Sequence, residues 1–431
     1  MSLPPYDESL VLATCEKTRA LYREAGREPD DAYPVWPVRT QRDADAGLPY
    51  ATSEQKHLAE CREALGLPGP PVVPIAPFSV RGRFLYSGDV PFRWKAITAF
   101  ALPALIAEGR EAEARAWMAA RHAEGFNLFR VLAMCAWLNL SPERGRLALS
   151  ALCVIAEELG VALEVVALAD TAAFGFTDRD CIDQVRQVGA LVRSALPGTS
   201  LVQAANEHCH PTQIPWLHSV ANVDYLVLQL PSGVIGTASA AQDDEALTPT
   251  GAYITRHLDR SRDLWNTCRR VRELENVSRE TGRYVVNDEP MGAGEVEEPG
   301  RRYTDPAIAF TFGVLGRIFE VGSTFHCEAG LQCAELGPVQ AACAAAFLHG
   351  ATVIPEDRVL TFKNATWADS PVQAFDTTAA VRVYSGVQGD DGWTCALGLT
   401  GDPRIVWQGG WAPVANVAAY PGVTLWQIAH S

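Results

Sequence analysis

The chain has 431 residues, 48% hydrophobic and 20% charged, with a formal net charge of −15. That composition is globular rather than disordered and too large for one small core, and its acidity argues against a nucleic-acid or anionic-membrane surface, which needs a basic face. The longest apolar runs, such as AITAFALPALIA (96–107), are too short to span a bilayer; MSLPPYDESL carries no secretory signal; and eleven irregularly spaced cysteines read as reduced thiols, so a cytoplasmic protein is expected.

Residues 1–79 read as a helical N-terminal extension followed by a proline-rich linker. DESLVLATCEKTRALYREAG (7–26) and SEQKHLAECREALG (53–66) each start on a capping residue and end at glycine, and LPGPPVVPIAP (67–77) is extended. RGRFLYSGDVPFRW (81–94) is then a hairpin around Ser87-Gly88-Asp89. After it, apolar strand candidates alternate with helical segments: KAITAFAL (95–102), NLFRVLAM (127–134), ALEVVALAD (162–170), SLVQAANE (200–207), DYLVLQL (224–230), AYITRHL (252–258), RYVVNDE (283–289) and STFHCEA (323–329). Continuous apolar runs mark parallel strands covered on both faces.

Eight such units over roughly 270 residues predict a (β/α)8 TIM barrel across residues 80–357. An open doubly wound sheet is the competitor, and no G-x-G-x-x-G supports a dinucleotide fold. Residues 358–431 change character: AVRVYSGVQGDDGWTCALGL (380–399), RIVWQGGW and VTLWQIA predict a small antiparallel β domain.

Chemistry in a barrel collects at the C-terminal ends of the strands. The fourth run ends in Asn206-Glu207, the seventh in Asn287-Asp288-Glu289; the second carries Arg130, the third ends in Asp170, the sixth carries His257, and the eighth His326 and Glu328. Two carboxylates across a mouth suit glycosidic bond cleavage: one protonates the leaving oxygen, and the other attacks or activates water.

Four motifs in order carry a resemblance. RFLYSGDVPFRWKAITAF, EGFNLFRV (124–131), AANE (204–207) and YVVNDEP (284–290) resemble, over about residues 80–350, the clan A (β/α)8 glycoside hydrolases, a cellulase-like superfamily. The resemblance implies Glu207 as general acid/base and Glu289 as nucleophile of a retaining hydrolase. It also implies Asn206 on the neighbouring sugar hydroxyl, and Arg130 and His257 supporting the nucleophile. Pro290 after the glutamate departs from the pattern, as does the missing tryptophan at STFHCEAG; Trp137 and Trp216, in loops, are the candidates for sugar stacking instead. Asp288 and Glu328 are rival nucleophiles, the latter requiring STFHCEA to be the seventh strand.

In EHCHP, His208 and His210 would face the same way on an extended segment, and a metal could bridge them to His326. No ligand spacing of a known kind supports this, so no metal and no cofactor is expected, and His208, His210 and His326 read as cleft residues binding substrate hydroxyls. The expected partner is an oligosaccharide or glycoside. A barrel that binds carbohydrate without cleaving it, a structural assembly protein and a metal-dependent hydrolase remain as alternatives; oligomeric state is not legible.

Overall fold

The computed structural model describes residues 8–27, 57–58, 61, 64–65, 75–239, 251–258, 264–291, 304–364, 369–374, 382–397 and 405–431. Helix α1 (Glu8–Glu24) covers the first predicted helix. Most of the second, and the linker up to residue 74, lie outside the described residues.

Strands β1 (Phe78–Arg81), β2 (Phe84–Ser87) and β3 (Val90–Pro91) form a three-stranded antiparallel sheet. Eight barrel strands follow: β4 (Lys95–Thr98), β5 (Leu128–Leu132), β6 (Ala162–Leu168), β7 (Leu201–Ala205), β8 (Ile235–Ser239), β9 (Tyr253–Arg256), β10 (Tyr284–Asn287) and β11 (Gly322–Phe325). Their order in the sheet is β8-β7-β6-β5-β4-β11-β10-β9, and each neighbouring pair is parallel. Among the described residues, the ring closes between β8 and β9 at an isolated bridge of Thr237 with Gly251, where Ala252 N–H donates to Gly236 C=O at 2.8 Å. This is the predicted TIM barrel, built from seven of the eight predicted strands.

The exception is DYLVLQL. Residues Val220–Val227 form helix α6, with Val223 and Leu226 buried and Tyr225 and Leu228 exposed. The fifth strand is IGTAS, after a turn at Gly233, whose φ is +88°. It escapes a hydrophobicity reading because it is short and built of small residues; Gly236 lies against Leu230, whose Cδ1 would be 2.2 Å from a Cβ there. The other helices are α2 (Leu102–Ala107), α3 (Glu111–Glu124), α4 (Pro142–Leu159), α5 (Asp178–Ala195), α7 (Leu264–Thr281), α8 (Pro306–Phe319), α9 (Glu328–Gln332) and α10 (Pro338–Thr352). Local signals explain their ends: Thr177 and Asp180 form a reciprocal capping box on α5, and Gly125 and Gly160 end α3 and α4 in the left-handed region.

Strand residues alternate between two environments. On β5, Phe129 and Val131 join the large core between sheet and helices, while Leu128 faces the barrel interior. The interior floor is apolar. Phe78, Leu85 and Phe92 of the β1–β3 sheet pack there with Trp94, Leu128, Leu201, Tyr253 and Tyr284, plugging the N-terminal end. Above this plug the interior turns polar, with Arg130, Glu164, Gln203 and Thr255 all buried.

The C-terminal part contains a five-stranded antiparallel sheet, β12 (Thr361–Asn364), β14 (Arg382–Gln388), β15 (Asp391–Leu397), β18 (Val423–His430) and β17 (Trp411–Tyr420) in that order, and a two-stranded one of β13 (Val372–Ala374) with β16 (Ile405–Trp407). It docks on α8, which is buried along Ala307–Phe319 because it has the barrel on one side and this sheet on the other. Phe319 meets Phe362 and Tyr384 edge-on at 4.8 and 5.2 Å, and Phe310 stacks on Tyr420 at 4.5 Å. Helices α8 and α10 cross closely enough that a Cβ on Gly313 would lie 2.3 Å from the Phe347 carbonyl oxygen. No helix among the described residues is long and apolar enough to cross a membrane.

Candidate active site

Arg130 organises the mouth of the barrel. Its place on β5 points it inward, where it is fully buried. Its Nη1 donates to Glu289 Oε1 at 2.6 Å; Nη2 donates to Asn206 Oδ1 at 2.7 Å and Gln203 Oε1 at 3.1 Å, and lies 3.1 Å from Asp288 Oδ2. The guanidinium sits over the Phe100 ring, 5.2 Å from its centre. Burial opposes its charge, but Asp288, Glu289 and Glu164 outweigh that and raise its pKa above the ordinary arginine value.

His257, one residue beyond β9, joins three carboxylates. Nδ1 lies 2.9 Å from Glu207 Oε1, while Nε2 lies 3.0 Å from Asp288 Oδ1 and 3.6 Å from Glu289 Oε1. Burial pushes the imidazole pKa down, yet Glu289, Asp288 and the hydrogen bonds to Asp288 and Glu207 prevail and raise it to about 10. At neutral pH both ring nitrogens therefore carry protons. The primary contacts of His257 are Glu207 and Asp288; Glu289 is held more closely by Arg130.

Glu207 reaches His257 because the chain turns sharply after β7. Its φ is +40°, a left-handed conformation costing a non-glycine residue about 1–3 kcal/mol. The surroundings hold it there: Asn206 N–H donates to Leu168 C=O at 2.8 Å, Gln213 Nε2 to Asn206 C=O at 2.6 Å, and His210 N–H to Glu207 C=O at 2.8 Å. These turns also separate the two histidines. His208 is fully buried and His210 is exposed, its Nδ1 2.9 Å from Thr212 Oγ1. The expectation that they face the same way fails because the segment is not extended, and with it goes the metal set of His208, His210 and His326.

His326, just past β11, is buried with Nδ1 2.7 Å from Thr98 Oγ1 and Nε2 3.7 Å from Glu289 Oε2. Arg130, Asn206, Glu207, His257, Glu289 and His326 thus converge, with Asp288. Trp216 lies in the short 3-10 turn Pro215–His218 and packs against the core. Trp137 lies in the loop after β5 with 51% of its surface exposed. Glu328 opens α9, where its Oε2 accepts from Gln340 Nε2 at 3.4 Å. The rival role for Glu328 needed STFHCEA as seventh strand, and GSTF is the eighth.

The residues missed from sequence form the second layer. Glu164, on β6, accepts from Tyr253 Oη at 2.8 Å, and burial, reinforced by Asp288, raises its pKa to about 8. Gln203 links Arg130 to Thr255, its Nε2 donating to Thr255 Oγ1 at 3.2 Å. A signal was present: Glu164 and Gln203, like Arg130, are lone polar residues inside apolar strands.

Ligand atoms of Glu207, His257 and Glu289 all lie within 4.8 Å of one another. A metal there would need His257 as a neutral ligand. In this structure its two nitrogens face Glu207 and Asp288.

The sequence matches no protein-family model and no curated protein. Solved structures resemble it in fold. A structure described as a glycoside hydrolase shares 10% identity over 83% of this chain and 97% of its own, with a TM-score of 0.54. A protein from Bacteroides vulgatus ATCC 8482 assigned as a glycoside hydrolase gives 12%, 85%, 84% and 0.53. A glycoside hydrolase family 5 protein from the same organism gives 8%, 82%, 93% and 0.50. The chain shares the (β/α)8 fold with these structures.

Proposed function

We propose that the chain is a retaining glycoside hydrolase, with Glu289 as nucleophile and Glu207 as acid/base. The observation carrying this is the approach of two carboxylates from strands four and seven: Glu207 and Glu289 present oxygens within 4.8 Å of each other. Retaining enzymes place the pair about 5–5.5 Å apart, whereas inverting ones need about 6.5–9.5 Å to admit a water.

In the first step a Glu289 oxygen attacks the anomeric carbon, the glycosidic C–O bond breaks, and the leaving oxygen takes the Glu207 proton. In the second step Glu207 accepts a proton from water, whose oxygen attacks the anomeric carbon and releases Glu289. Negative charge moves from Glu289 to Glu207 during glycosylation and back during hydrolysis. His257 touches both sides, 2.9 Å from Glu207 and 3.6 Å from Glu289, so one fixed cation accompanies the moving charge without reorganisation. Arg130 holds Glu289 ionised and aimed, and Asn206, with Oδ1 committed to Arg130, offers its amide N–H to the adjacent sugar hydroxyl.

The test is Glu289→Ala on an aryl glycoside that the wild type cleaves. Turnover is lost, and azide restores it as a glycosyl azide of inverted configuration. Full activity in Glu289→Ala, or a first product of inverted configuration from the wild type, overturns the assignment.

A further inference from the structure

A cavity with about 480 Å³ of open space lies at the N-terminal end of the barrel, opposite the mouth, where β4 and β11 meet α8 and α10. Arg93, Lys95, Arg317, Glu320 and Ser323 contribute to its lining. Three cations meet two carboxylates here. Arg93 Nη1 donates to Glu320 Oε2 at 2.6 Å, and Lys95 Nζ to Glu356 Oε1 at 2.6 Å. Arg317 is the third cation, buried at 5% exposure. Its Nη atoms donate to carbonyl oxygens alone: Ile354 at 2.9 Å, Arg358 at 3.0 Å, Pro355 at 3.1 Å and Ala351 at 3.5 Å.

Carbonyls around the end of α10 supply only partial negative charge. A guanidinium taken out of water is ordinarily paired with a full anion, which restores what lost hydration removes. Burial, then Arg93, outweigh the attraction of Glu320 and Glu356 and bring the Arg317 pKa down to about 10, so the group is charged at neutral pH. Two donors of the lining are also left over. Arg317 Nε and Ser323 Oγ are buried and make no hydrogen bond. Ser323 stands on the helix-facing side of β11, because Gly322 before it faces Trp94 and Tyr284 inside the ring. A guanidinium N–H can only donate and a hydroxyl can turn its proton toward the same partner, so this pair suits an acceptor that carries charge.

We propose that this cavity is a halide site, in which one chloride or bromide ion is held by Arg317 and Ser323. A single negative charge balances the excess of one cation. The ion braces the junction with the C-terminal sheet, because its neighbours hold the segment leading into β12: Glu320 Oε1 accepts from Leu360 N–H at 2.8 Å, and Arg93 Nε donates to Glu356 C=O at 2.7 Å. The site is independent of the glycosidase reading.

The experiment is thermal unfolding of the full chain at constant ionic strength, with sodium gluconate replaced stepwise by sodium chloride. The wild-type midpoint rises saturably, by about 2 °C or more. Ser323→Ala, which removes one donor and little volume, needs about threefold or more chloride for half of that rise, and Arg317→Met shows no saturable rise. Arg110→Gln, a change on the surface, behaves as the wild type. Wild-type crystals grown in sodium bromide show an anomalous bromine peak between Arg317 Nε and Ser323 Oγ, a measurement that stands even where Arg317→Met does not fold. No bromine peak in the cavity, a wild-type midpoint indifferent to chloride, or a wild-type chloride response in Ser323→Ala overturns the proposal.

Discussion

Replacing Glu164 by glutamine reverses part of the pH dependence of stability. Glu164 is fully buried and accepts from Tyr253 at 2.8 Å, a bond that the glutamine carbonyl preserves. Its pKa rises from 4.5 to about 8 on folding, so between those values the folded chain holds a proton that the unfolded chain has released. Stability must then fall as pH rises, by about 1.4 kcal/mol per unit. Across the window this amounts to about 5 kcal/mol, present in full below pH 4.5 and lost above 8. Glutamine does not titrate. The variant's stability relative to the wild type should therefore climb by about 5 kcal/mol between pH 4.5 and 8 and level off above it. His257, raised from 6.5 to about 10, adds a second decline over its own window in both proteins. Urea unfolding at pH 5, 6, 7, 8 and 9 measures the two curves. Parallel curves would refute the reasoning, because they would mean that Glu164 is ionised in the fold and that burial does not govern it.

Arg130→Met strips the cation from buried Asp288 and Glu289 and should cost about 3–5 kcal/mol in urea unfolding; a loss below about 1 kcal/mol counts against its organising role. Gly313→Ala pushes a Cβ to 2.3 Å from the Phe347 carbonyl oxygen, and should lower stability by about 1–3 kcal/mol or more as α8 and α10 are forced apart. Hydrolysis of an aryl glycoside should survive exhaustive dialysis against EDTA; loss with recovery on adding zinc or manganese would put a metal between Glu207, His257 and Glu289.

The barrel was legible because its strands are apolar runs separated by capped helices, and the ends of β7 and β10 announce themselves by abrupt polarity at Asn206-Glu207 and Asn287-Asp288-Glu289. What failed was local. IGTAS has too few large side chains to stand out, whereas DYLVLQL has the composition of a strand but begins inside a helix that buries Val223 and Leu226, three apart. The histidines were misread because a left-handed turn at Glu207 is invisible in composition. The second layer was missed for a different reason. A polar residue inside an apolar run looks like noise until the alternation of a strand puts Glu164 and Gln203 beside Arg130 inside the ring.

Among the described residues, the parallel ladder around the ring is interrupted between β8 and β9. From Glu207 to Glu289 one route around the ring crosses five parallel ladders, from β7 through β6, β5, β4 and β11 to β10. The other crosses the seam where Thr237 bridges Gly251 and Ala252 N–H bonds Gly236 C=O. The ring is a bracelet with a clasp, and the two glutamates sit on either side of it. Two side-chain contacts pin the clasp from above: Gln203 to Thr255, and His257 to Glu207. His257 thus spans that seam, 2.9 Å from Glu207 on one side and 3.0 Å from Asp288 on the other.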